Sequence, residues 1–509
     1  MTSPANAASP VTDTGTMTAQ WVSDDVMRPD RQPWDLLVIG GGTAGLVAAQ
    51  TASSLGASVL MVERARTGGD CLWTGCVPSK ALLAAAHAAA DARDAARFGI
   101  RIDGVRVNFA EVMAHVHDAI VAVEPNDAPD TVRSAGVQVA HGAAVFTGAD
   151  RVRFTANEGG ACQTVRFRHC VVATGSQPRM PDVPGLADAA PLTSETVWGL
   201  RKLPRRLLVI GGGTIGCELG QAFARLGSRV TILESADRLL GPEDERSTRI
   251  VQESLVRDGV RVLTGMSLER IEAGVDVHRA DLAGGRSVDF DVVLVATGRA
   301  PRSVGLGLQA AGVDTDQGGH VIVDKHLRTG NPRIYAAGDV TAHPKFTHVA
   351  GVHGSLAGSN SVLGIPRSVP AGAPPRVTFT QPELAAFGVA PAAAADDASL
   401  TVQVITHDVV DRAVAEKRTA GLTQIVLDKR GKIVGASIVS PRAGESLAEL
   451  VIAARGGLGA RDVASAMHAY PTLNDAISNA AIAQVRRQLG ATPVRLVTRA
   501  LAAIQRRRS

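Results

Sequence analysis

Apolar runs, glycine-rich turns and helical periodicity alternate along the chain in an order that occurs twice. The stretch DLLVIGGGTAGLVAAQTASSLGASVLMVER predicts a buried strand, a glycine turn, a helix of small residues and a second strand that ends at Glu63. The stretch RLLVIGGGTIGCELGQAFARLGSRVTILES repeats this order. Gly40 lies 23 positions before Glu63, and Gly211 lies 23 positions before Glu234. The spacing predicts two copies of one βαβ design.

The remaining patterns also mix helices and strands. We predict an alanine-rich helix from Lys80 to about residue 96, helical stretches near 108–135 and strands around 137–154. Each βαβ unit closes on a strand followed by Ala-Thr-Gly, in CVVATGSQPR and VVLVATGRAPR. Beyond the Pro/Gly/Ala-rich linker at 364–375, strand, hairpin and helix patterns indicate a separate α+β domain.

Composition narrows the class of protein. A chain of 509 residues has room for roughly three domains. A net charge of +4, from 53 basic and 49 acidic residues, argues against a nucleic-acid binder. We predict a cytoplasmic protein, because we find neither an 18-residue apolar run nor a signal-peptide pattern. The five cysteines are an odd number in a large chain, which favours a reducing compartment, where an oxidised pair is catalytic more often than structural.

The C-terminal segment is strongly basic. From Ala476 to Ser509 there are seven arginines and no acid, and Val494, Val497, Leu501 and Ile504 follow helical spacing. We interpret the segment as a solvated basic helix. Contact with a membrane surface or an acidic partner is the alternative.

Both glycine turns have the features of dinucleotide sites. The first has Gly40, Gly42 and Gly45 between a strand and a helix, so that backbone N–H groups can face a pyrophosphate, while Glu63 accepts hydrogen bonds from a ribose. The second repeats this with Gly211, Gly213, Gly216 and Glu234. Since an acid repels a 2′-phosphate, Glu234 predicts a preference for NAD(H), which the nearby Arg229 and Arg238 would soften. A tightly held flavin in one site and a nicotinamide in the other fits two such sites in one chain.

The stretch GGDCLWTGCVPSK contains two of the five cysteines. A helix is predicted to begin at Cys76, with Pro78 in its first turn and Lys80 close by. The helix dipole and the lysine both favour a thiolate, so Cys71 and Cys76 can accept two electrons by opening a disulfide. A zinc site would need further ligands, and none is predicted; a purely structural disulfide is the other alternative. We assign no function to Cys162, Cys170 and Cys217.

Five motifs in order, GGDCLWTGCVPSK, ATGSQPR, GGGTIGCELG, ATGRAP and IYAAGDVT, resemble the pyridine nucleotide-disulfide oxidoreductases, which include dihydrolipoamide dehydrogenase, glutathione reductase and mercuric reductase. The resemblance covers about residues 34–482 and implies a homodimer whose active sites are completed by the partner subunit's C-terminal residues. It implies that hydride passes from nicotinamide to flavin and then to Cys76, with Cys71 facing the acceptor. Lys80 matches the lysine near flavin N5, and Glu218 matches its carboxylate partner.

The resemblance also implies which residues bind each cofactor. For FAD these are Gly40, Gly42, Gly45, Glu63, Gly69, Asp70, Lys80, Thr174, Gly175, Gly338 and Asp339. For the nicotinamide dinucleotide they are Gly211, Gly213, Gly216, Glu234 and Gly298.

The C-terminal segment HAYPTLND departs from the family pattern. Family members that act on disulfides have a His-Pro pair followed by a Glu, and these side chains move the proton. Here Tyr470 precedes Pro471, and Asp475 stands at the position of the Glu. Mercuric reductases share the tyrosine, but they also carry a C-terminal cysteine pair, and this chain has no cysteine after Cys217. His468 lies two residues early, and we interpret it as structural, with proton transfer as the alternative.

We therefore predict an α/β protein with two Rossmann-like domains and an α+β dimerisation domain. It would pass electrons from NADH through FAD and the Cys71–Cys76 pair to a soft metal ion, a quinone or a small disulfide. Dihydrolipoamide dehydrogenase is the alternative enzyme, and a flavin-bound redox sensor is the alternative of another class. The predicted boundaries are a disordered leader at 1–32, an FAD-binding domain at 33–180 and 301–370, an NAD(P)-binding domain at 181–300, a dimerisation domain at 371–490 and a basic tail at 491–509.

Overall fold

The computed structural model describes residues 32–157, 160, 162–490 and 492–508, so the predicted leader up to residue 31 lies outside the described residues. The strands are β1 Trp34–Ile39, β2 Val59–Glu63, β3 Val137–Gly148, β4 Arg151–Ala156, β5 Cys162–Val172, β6 Ser176–Pro178, β7 Leu192–Thr193, β8 Arg206–Ile210, β9 Arg229–Leu233, β10 Arg261–Leu263, β11 Leu268–Glu272, β12 His278–Leu282, β13 Arg286–Phe290, β14 Val292–Val295, β15 Arg299–Pro301, β16 Ile334–Ala336, β17 Arg376–Thr378, β18 Glu383–Gly388, β19 Thr401–Thr406, β20 Leu422–Leu427 and β21 Ile433–Ser440. The helices are α1 Thr43–Ser54, α2 Gly69–Trp73, α3 Cys76–Asp94, α4 Phe109–Val123, α5 Pro129–Ser134, α6 Thr214–Leu226, α7 Glu245–Arg257, α8 Thr347–Leu363, α9 Asp411–Ala415, α10 Ala443–Arg455, α11 Ala460–Ser465, α12 Asp475–Leu489 and α13 Thr492–Arg508.

The chain separates into two compact units. The first contains the described residues of 1–211, 222–230 and 267–371, and the second contains those of 212–221, 231–266 and 372–509. This division into two units does not test the predicted domain boundaries, which stay predictions.

A parallel sheet forms the centre of the first unit. β1 pairs with β2 and with β5, β2 pairs with β3, and β5 pairs with β16, all in parallel. α1 connects β1 to β2, so the first predicted βαβ unit is confirmed. β4 pairs antiparallel with β3 and β5 and extends this arrangement.

Both faces of this sheet are buried. Ile39 and Leu60 belong to one hydrophobic core, and their neighbours Val38 and Met61 belong to another. Successive side chains of a strand point to opposite faces, so a strand covered on both sides must be apolar throughout. This is the physical reason for the continuous apolar runs that predicted β1 and β2.

Small residues bring α8 close to α1. A β-carbon on Gly354 would lie 2.3 Å from the carbonyl oxygen of Ala44, and one on Gly358 would lie 2.6 Å from that of Ala48. Only glycine permits backbones to approach this closely. The packing fixes the position of Thr347, where α8 begins.

The second glycine motif has the same local order of β8, glycine turn, α6 and β9. In the first unit β14 lies parallel to β8 and to β7. In the second unit Thr231–Leu233 of β9 lies parallel to Arg261–Leu263 of β10. Parallel pairing after a helical crossover is the arrangement expected of a Rossmann-like unit.

The C-terminal part of the second unit is an antiparallel sheet with helices. Its strand order is β17-β18-β21-β20-β19, and the predicted hairpin is the β20–β21 pair. Ile425 and Ile438 of the sheet share a buried core with Leu447 of α10 and Ile477 of α12. The α/β class with a C-terminal α+β domain is therefore confirmed. Among the described residues, no helix has both the length and the apolar character needed to cross a bilayer.

Candidate active site

The two glycine turns have the same backbone geometry. Gly40 has φ +108° and Gly211 has φ +109°. A β-carbon at Gly40 would lie 2.4 Å from the carbonyl oxygen of Ala173, and one at Gly211 would lie 2.5 Å from that of Ala296. Side chains are therefore excluded from both positions for conformational and steric reasons. The internal repeat extends to the dihedral angles of its first glycine.

Glu63 and Glu234 also make equivalent hydrogen bonds. Glu63 accepts from the N–H of Gly41 at 2.6 Å and from that of Ala65 at 2.6 Å. Glu234 accepts from the N–H of Gly212 at 2.7 Å and from that of Ala236 at 2.8 Å. Each carboxylate is thus fixed at its own glycine turn, where it can accept further bonds from ribose hydroxyls.

The helices that follow the turns begin without acidic side chains. α1 has no acid in its first turn, and its N-cap, Gly42, supplies no side-chain hydrogen bond. The first turn of α6, which contains Gly216 and follows Gly213, has no acid either. Free N–H groups at a helix N-terminus attract an anion such as a pyrophosphate. The residues present therefore fit a dinucleotide at each turn.

Of the other residues predicted to bind FAD, Gly69 and Asp70 lie in α2 and Lys80 lies in α3, and the remaining four lie on connections that follow strands of the first unit. Thr174 and Gly175 follow β5, and the Thr174 hydroxyl donates to the carbonyl of Arg302 at 2.7 Å. Gly338 and Asp339 follow β16, and Asp339 accepts a hydrogen bond from the Ser176 hydroxyl at 2.8 Å. Gly298, predicted to bind the nicotinamide dinucleotide, lies just before β15.

Cys71 and Cys76 are free thiols on two consecutive helices. Cys71 lies in α2, and α3 begins at Cys76 as predicted. The Cys71 thiol donates a hydrogen bond to Cys76, which lowers the pKa of Cys76 to about 6; Thr347 and the charge of Lys80 act in the same direction. The Cys76 sulfur lies 3.2 Å from the Thr347 hydroxyl. The hydrogen bond to Cys76, followed by burial, raises the pKa of Cys71, so Cys76 carries the first thiolate.

Two side chains from distant positions contact α2 and Thr74, the residue that ends it. Trp198 donates from its indole nitrogen to the carbonyl oxygen of Thr74 at 2.8 Å. Arg299 lies 2.9 Å from Asp70, measured from Nη2 to Oδ2. These contacts therefore anchor α2, the helix that contains Cys71.

Comparison with known proteins agrees with this geometry. The family described as pyridine nucleotide-disulphide oxidoreductase matches residues 34–354, and its dimerisation domain matches residues 374–481. The chain belongs to this family. A mercuric reductase of Streptomyces lividans is 37% identical, over 88% of this chain and 95% of the relative. A dihydrolipoyl dehydrogenase of Geobacillus stearothermophilus is 34% identical, over 91% and 98% respectively.

A solved structure extends the comparison. LpdA from Mycobacterium tuberculosis superposes with a TM-score of 0.82 at 27% identity, over 90% of this chain and all (100%) of that one. The predicted family, the fold class and the activity class of an NAD(P)H-dependent flavoprotein disulfide oxidoreductase are therefore confirmed. So is the use of FAD with a pyridine nucleotide.

In this family member, the segment that replaces the usual His-Pro pair is held by local contacts. The Tyr470 hydroxyl donates to Asp411, and this hydrogen bond raises the pKa of Tyr470. The phenol is 72% exposed, so it is available to another molecule. Asp475 accepts from the backbone N–H of Thr472 at 3.2 Å and thus closes the turn that precedes α12.

His468 is engaged at both ring nitrogens. Nε2 lies 2.8 Å from a carboxylate oxygen of Glu449, and Nδ1 lies 3.1 Å from the carbonyl oxygen of Ala466. Both partners accept hydrogen bonds, and the bond to Glu449 raises the pKa of His468, so the pair favours the protonated imidazole. This arrangement supports the structural interpretation of His468, because local contacts occupy both nitrogens.

The predicted pairing of Lys80 with Glu218 stays a prediction, and several contacts at the site were not predicted from the sequence. Lys80 and Glu218 belong to different compact units, and their pairing stays a prediction; within its own unit Glu218 accepts from the N–H of Phe379 at 2.9 Å. The sequence analysis missed Thr347, Trp198, Arg299, Asp411 and Glu449. Of these, Arg299 lies within the ATGRAP motif, which is the sequence signal that could have indicated it.

Proposed function

We propose that the chain is an NADH-dependent reductase that delivers two electrons through the Cys71–Cys76 pair to a soft metal ion, with Hg(II) as the representative substrate. The observation that carries this proposal is the dithiol, with a Cys76 thiolate already favoured near pH 6. Bound FAD would supply two-electron transfer between the nicotinamide and the dithiol. The two glycine turns would hold the two dinucleotides.

The proton balance of the two candidate reactions supports a metal ion over a disulfide as the acceptor. Reduction of a disulfide by NADH consumes one proton, because two thiols form as NADH becomes NAD⁺. Reduction of Hg(II) to the metal releases one proton, because NADH supplies an electron pair and no bond to hydrogen forms. The first reaction needs an acid–base group near the outer thiol, whereas the second does not. Tyr470, in place of the usual histidine, therefore favours the metal ion.

The chemistry of the thiols supports the same acceptor. Thiolate sulfur binds soft metal ions strongly. Cys71 is half-buried on α2, and we assign it to meet the acceptor while Cys76 holds the thiolate. The most similar relatives reported above include a mercuric reductase at 37% identity, which supports this choice over a quinone.

We further propose a homodimer in which Tyr470 of the partner subunit completes the site. The match to the family's dimerisation domain supports the assembly. Tyr470 is 72% exposed in one subunit, and Met467, three residues earlier, is fully exposed. Exposed side chains of this size are consistent with an interface.

NADH is proposed as the preferred reductant. Glu234 is held at its glycine turn by two backbone N–H groups, so its negative charge stays where a 2′-phosphate would sit. Arg238, one of the two nearby cations, donates to the carbonyl oxygens of Glu243 and Gly241. Its guanidinium is therefore committed to the backbone of its own loop.

A panel of acceptors tests the function. NADH oxidation by the FAD-loaded dimer is measured with mercuric chloride, oxidised glutathione, menadione, and, in the reverse direction, dihydrolipoamide with NAD⁺. We expect the largest kcat/KM with Hg(II), and we expect Cys71→Ser and Cys76→Ser to abolish it while menadione reduction continues. Faster turnover of dihydrolipoamide or glutathione would overturn the metal assignment. Hg(II) reduction that survives both substitutions would overturn the role of the dithiol.

A further inference from the structure

Arg299 places one guanidinium among three carboxylates. It begins β15, which pairs antiparallel with β6 through Arg299 and Pro178. Its Nη2 atom lies 2.9 Å from Asp70 and 3.7 Å from Glu195, and its Nε atom lies 4.0 Å from Asp339. The Arg299 side chain is only 12% exposed. Its carboxylate partners are more exposed, with Asp70 at 41%, so the mostly buried cation depends on these carboxylates for compensation.

One branch of this cluster leads to the predicted flavin ligand. Arg299 donates from Nε to the Ser176 hydroxyl at 2.7 Å, and that hydroxyl donates to Asp339 at 2.8 Å. A hydroxyl has a single proton to donate, so the bond from Arg299 directs the Ser176 proton towards Asp339. A second bond, from Nη2 to the carbonyl oxygen of Ser176 at 3.0 Å, fixes the guanidinium plane.

The other branch leads to the dithiol. Asp70 lies directly before Cys71, and its negative charge opposes ionisation of Cys76, whereas Lys80 and Thr347 favour it. Arg299 is the cation that contacts Asp70 at 2.9 Å. With Arg299 paired to it, Asp70 presents less negative charge to the thiolate.

We propose that Arg299 is a positioning residue that serves both halves of the redox site: it neutralises Asp70 beside the dithiol and, through Ser176, orients Asp339 for the flavin. The proposal rests on the assignment of Cys71 and Cys76 as the redox pair in the proposed function. It does not depend on which acceptor the enzyme reduces.

The thiol branch is tested by the pH dependence of alkylation. The full-length FAD-loaded protein is reduced, treated with iodoacetamide across pH 4–9, and the Cys71–Cys76 peptide is quantified by mass spectrometry. Arg299→Gln is expected to raise the midpoint by about 0.5–1 pH unit, because Asp70 is then uncompensated. Adding Asp70→Asn should return the midpoint to within about 0.3 unit of the unmodified protein. Asp70→Asn alone should lower it.

Arg302→Gln is the matched control. Arg302 pairs with Glu195 at 2.7 Å, whereas Asp70 pairs with Arg299, so loss of Arg302 should leave the midpoint unchanged. If Arg302→Gln and Arg299→Gln shift the midpoint equally, or if Asp70→Asn fails to compensate, the thiol branch is wrong. If Arg299→Gln does not fold, two other variants decide the question. Asp70→Asn should still lower the alkylation midpoint, and Arg299→Lys, which keeps the positive charge, should have a midpoint near that of the unmodified protein.

The flavin branch has a separate readout in FAD dissociation, measured by flavin fluorescence after dilution. Arg299→Gln and Ser176→Ala should each weaken FAD binding about tenfold. Ser176→Ala should leave the alkylation midpoint unchanged, because Ser176 contacts Asp339 and not the dithiol. Equal FAD affinity in Arg299→Gln would overturn this branch. The acceptor panel fails or succeeds independently, since neither readout involves turnover.

Discussion

His468 and Glu449 form an ion pair in which the imidazole has no free nitrogen. The carboxylate lies 2.8 Å from Nε2, and the carbonyl oxygen of Ala466 lies 3.1 Å from Nδ1. Glu449 also accepts a hydrogen bond from the amide of Asn474 at 3.0 Å. These contacts connect α10 to the residues before α12. The pair therefore stabilises the C-terminal segment that contains Tyr470.

Glu449→Gln should destabilise the protein in a limited pH range. Glu449 raises the pKa of His468 above its usual value of about 6.5. A raised pKa contributes stability that is fully present below about pH 6.5 and is lost as the pH rises through the folded-state value. We expect a melting temperature about 1–3 °C lower in the variant at pH 5–6.5, converging with the unmodified protein at higher pH. Curves that stay parallel from pH 5 to pH 9 would contradict the ion pair.

Replacement of His468 should spare catalysis. His468→Gln removes the imidazole, but the paired nitrogens leave it no role as a base. NADH-dependent Hg(II) reduction should remain within about twofold of the unmodified enzyme. A loss of turnover beyond tenfold, with the fold intact by circular dichroism, would assign His468 to proton transfer instead.

Tyr470→His should create disulfide reductase activity. An imidazole at this position can accept and return a proton near neutral pH, which a phenol with a raised pKa cannot. We expect kcat/KM for oxidised glutathione or lipoamide to rise about tenfold or more. Tyr470→Phe is the control and should show no gain. An unchanged rate for the histidine variant would mean that access to Cys71, not proton transfer, excludes disulfides.

Thr347→Val should shift the ionisation of the dithiol. The Thr347 hydroxyl lies 3.2 Å from Cys76 and helps to lower its pKa to about 6. In the unmodified protein, reactivity of the Cys76 thiolate is expected to fall as the pH falls through about 6. The valine variant should lose reactivity at a pH about 0.5–1 unit higher. Thr347→Ser keeps the hydroxyl and should behave like the parent; equal shifts in both variants would exclude the hydrogen bond as the cause.

Glu234→Ala should reduce discrimination between the nicotinamides. The parent is expected to favour NADH by at least about tenfold in kcat/KM, because the carboxylate repels a 2′-phosphate and binds the ribose. The variant should lose NADH efficiency and retain its NADPH efficiency. Glu63→Ala is the matched control at the other turn and should weaken FAD retention without changing the nicotinamide ratio. A parent enzyme that uses both cofactors equally would refute the role of Glu234.

The sequence by itself determined the local elements and the repeated site geometry. Buried parallel strands require continuous apolar runs, and tight turns require glycine, so both βαβ units were readable from spacing alone. The start of α3 at Cys76, the positions of Glu63 and Glu234 after their strands, and the C-terminal hairpin all depend on neighbours within a few residues. Motifs of this kind also predicted the family correctly.

Only the tertiary structure decided which distant side chains meet at the dithiol. Thr347 is 271 positions from Cys76, and it reaches the sulfur because Gly354 allows α8 to pack against α1. Arg299 meets Asp70 from a distant part of the chain, and Glu449 contacts His468 from α10, 19 positions earlier. Periodicity records backbone hydrogen bonding and burial, which are local, whereas these pairings depend on how whole elements pack. The sequence pattern therefore predicted the redox cysteines, and the tertiary packing decided which side chains shift the pKa values of their thiols.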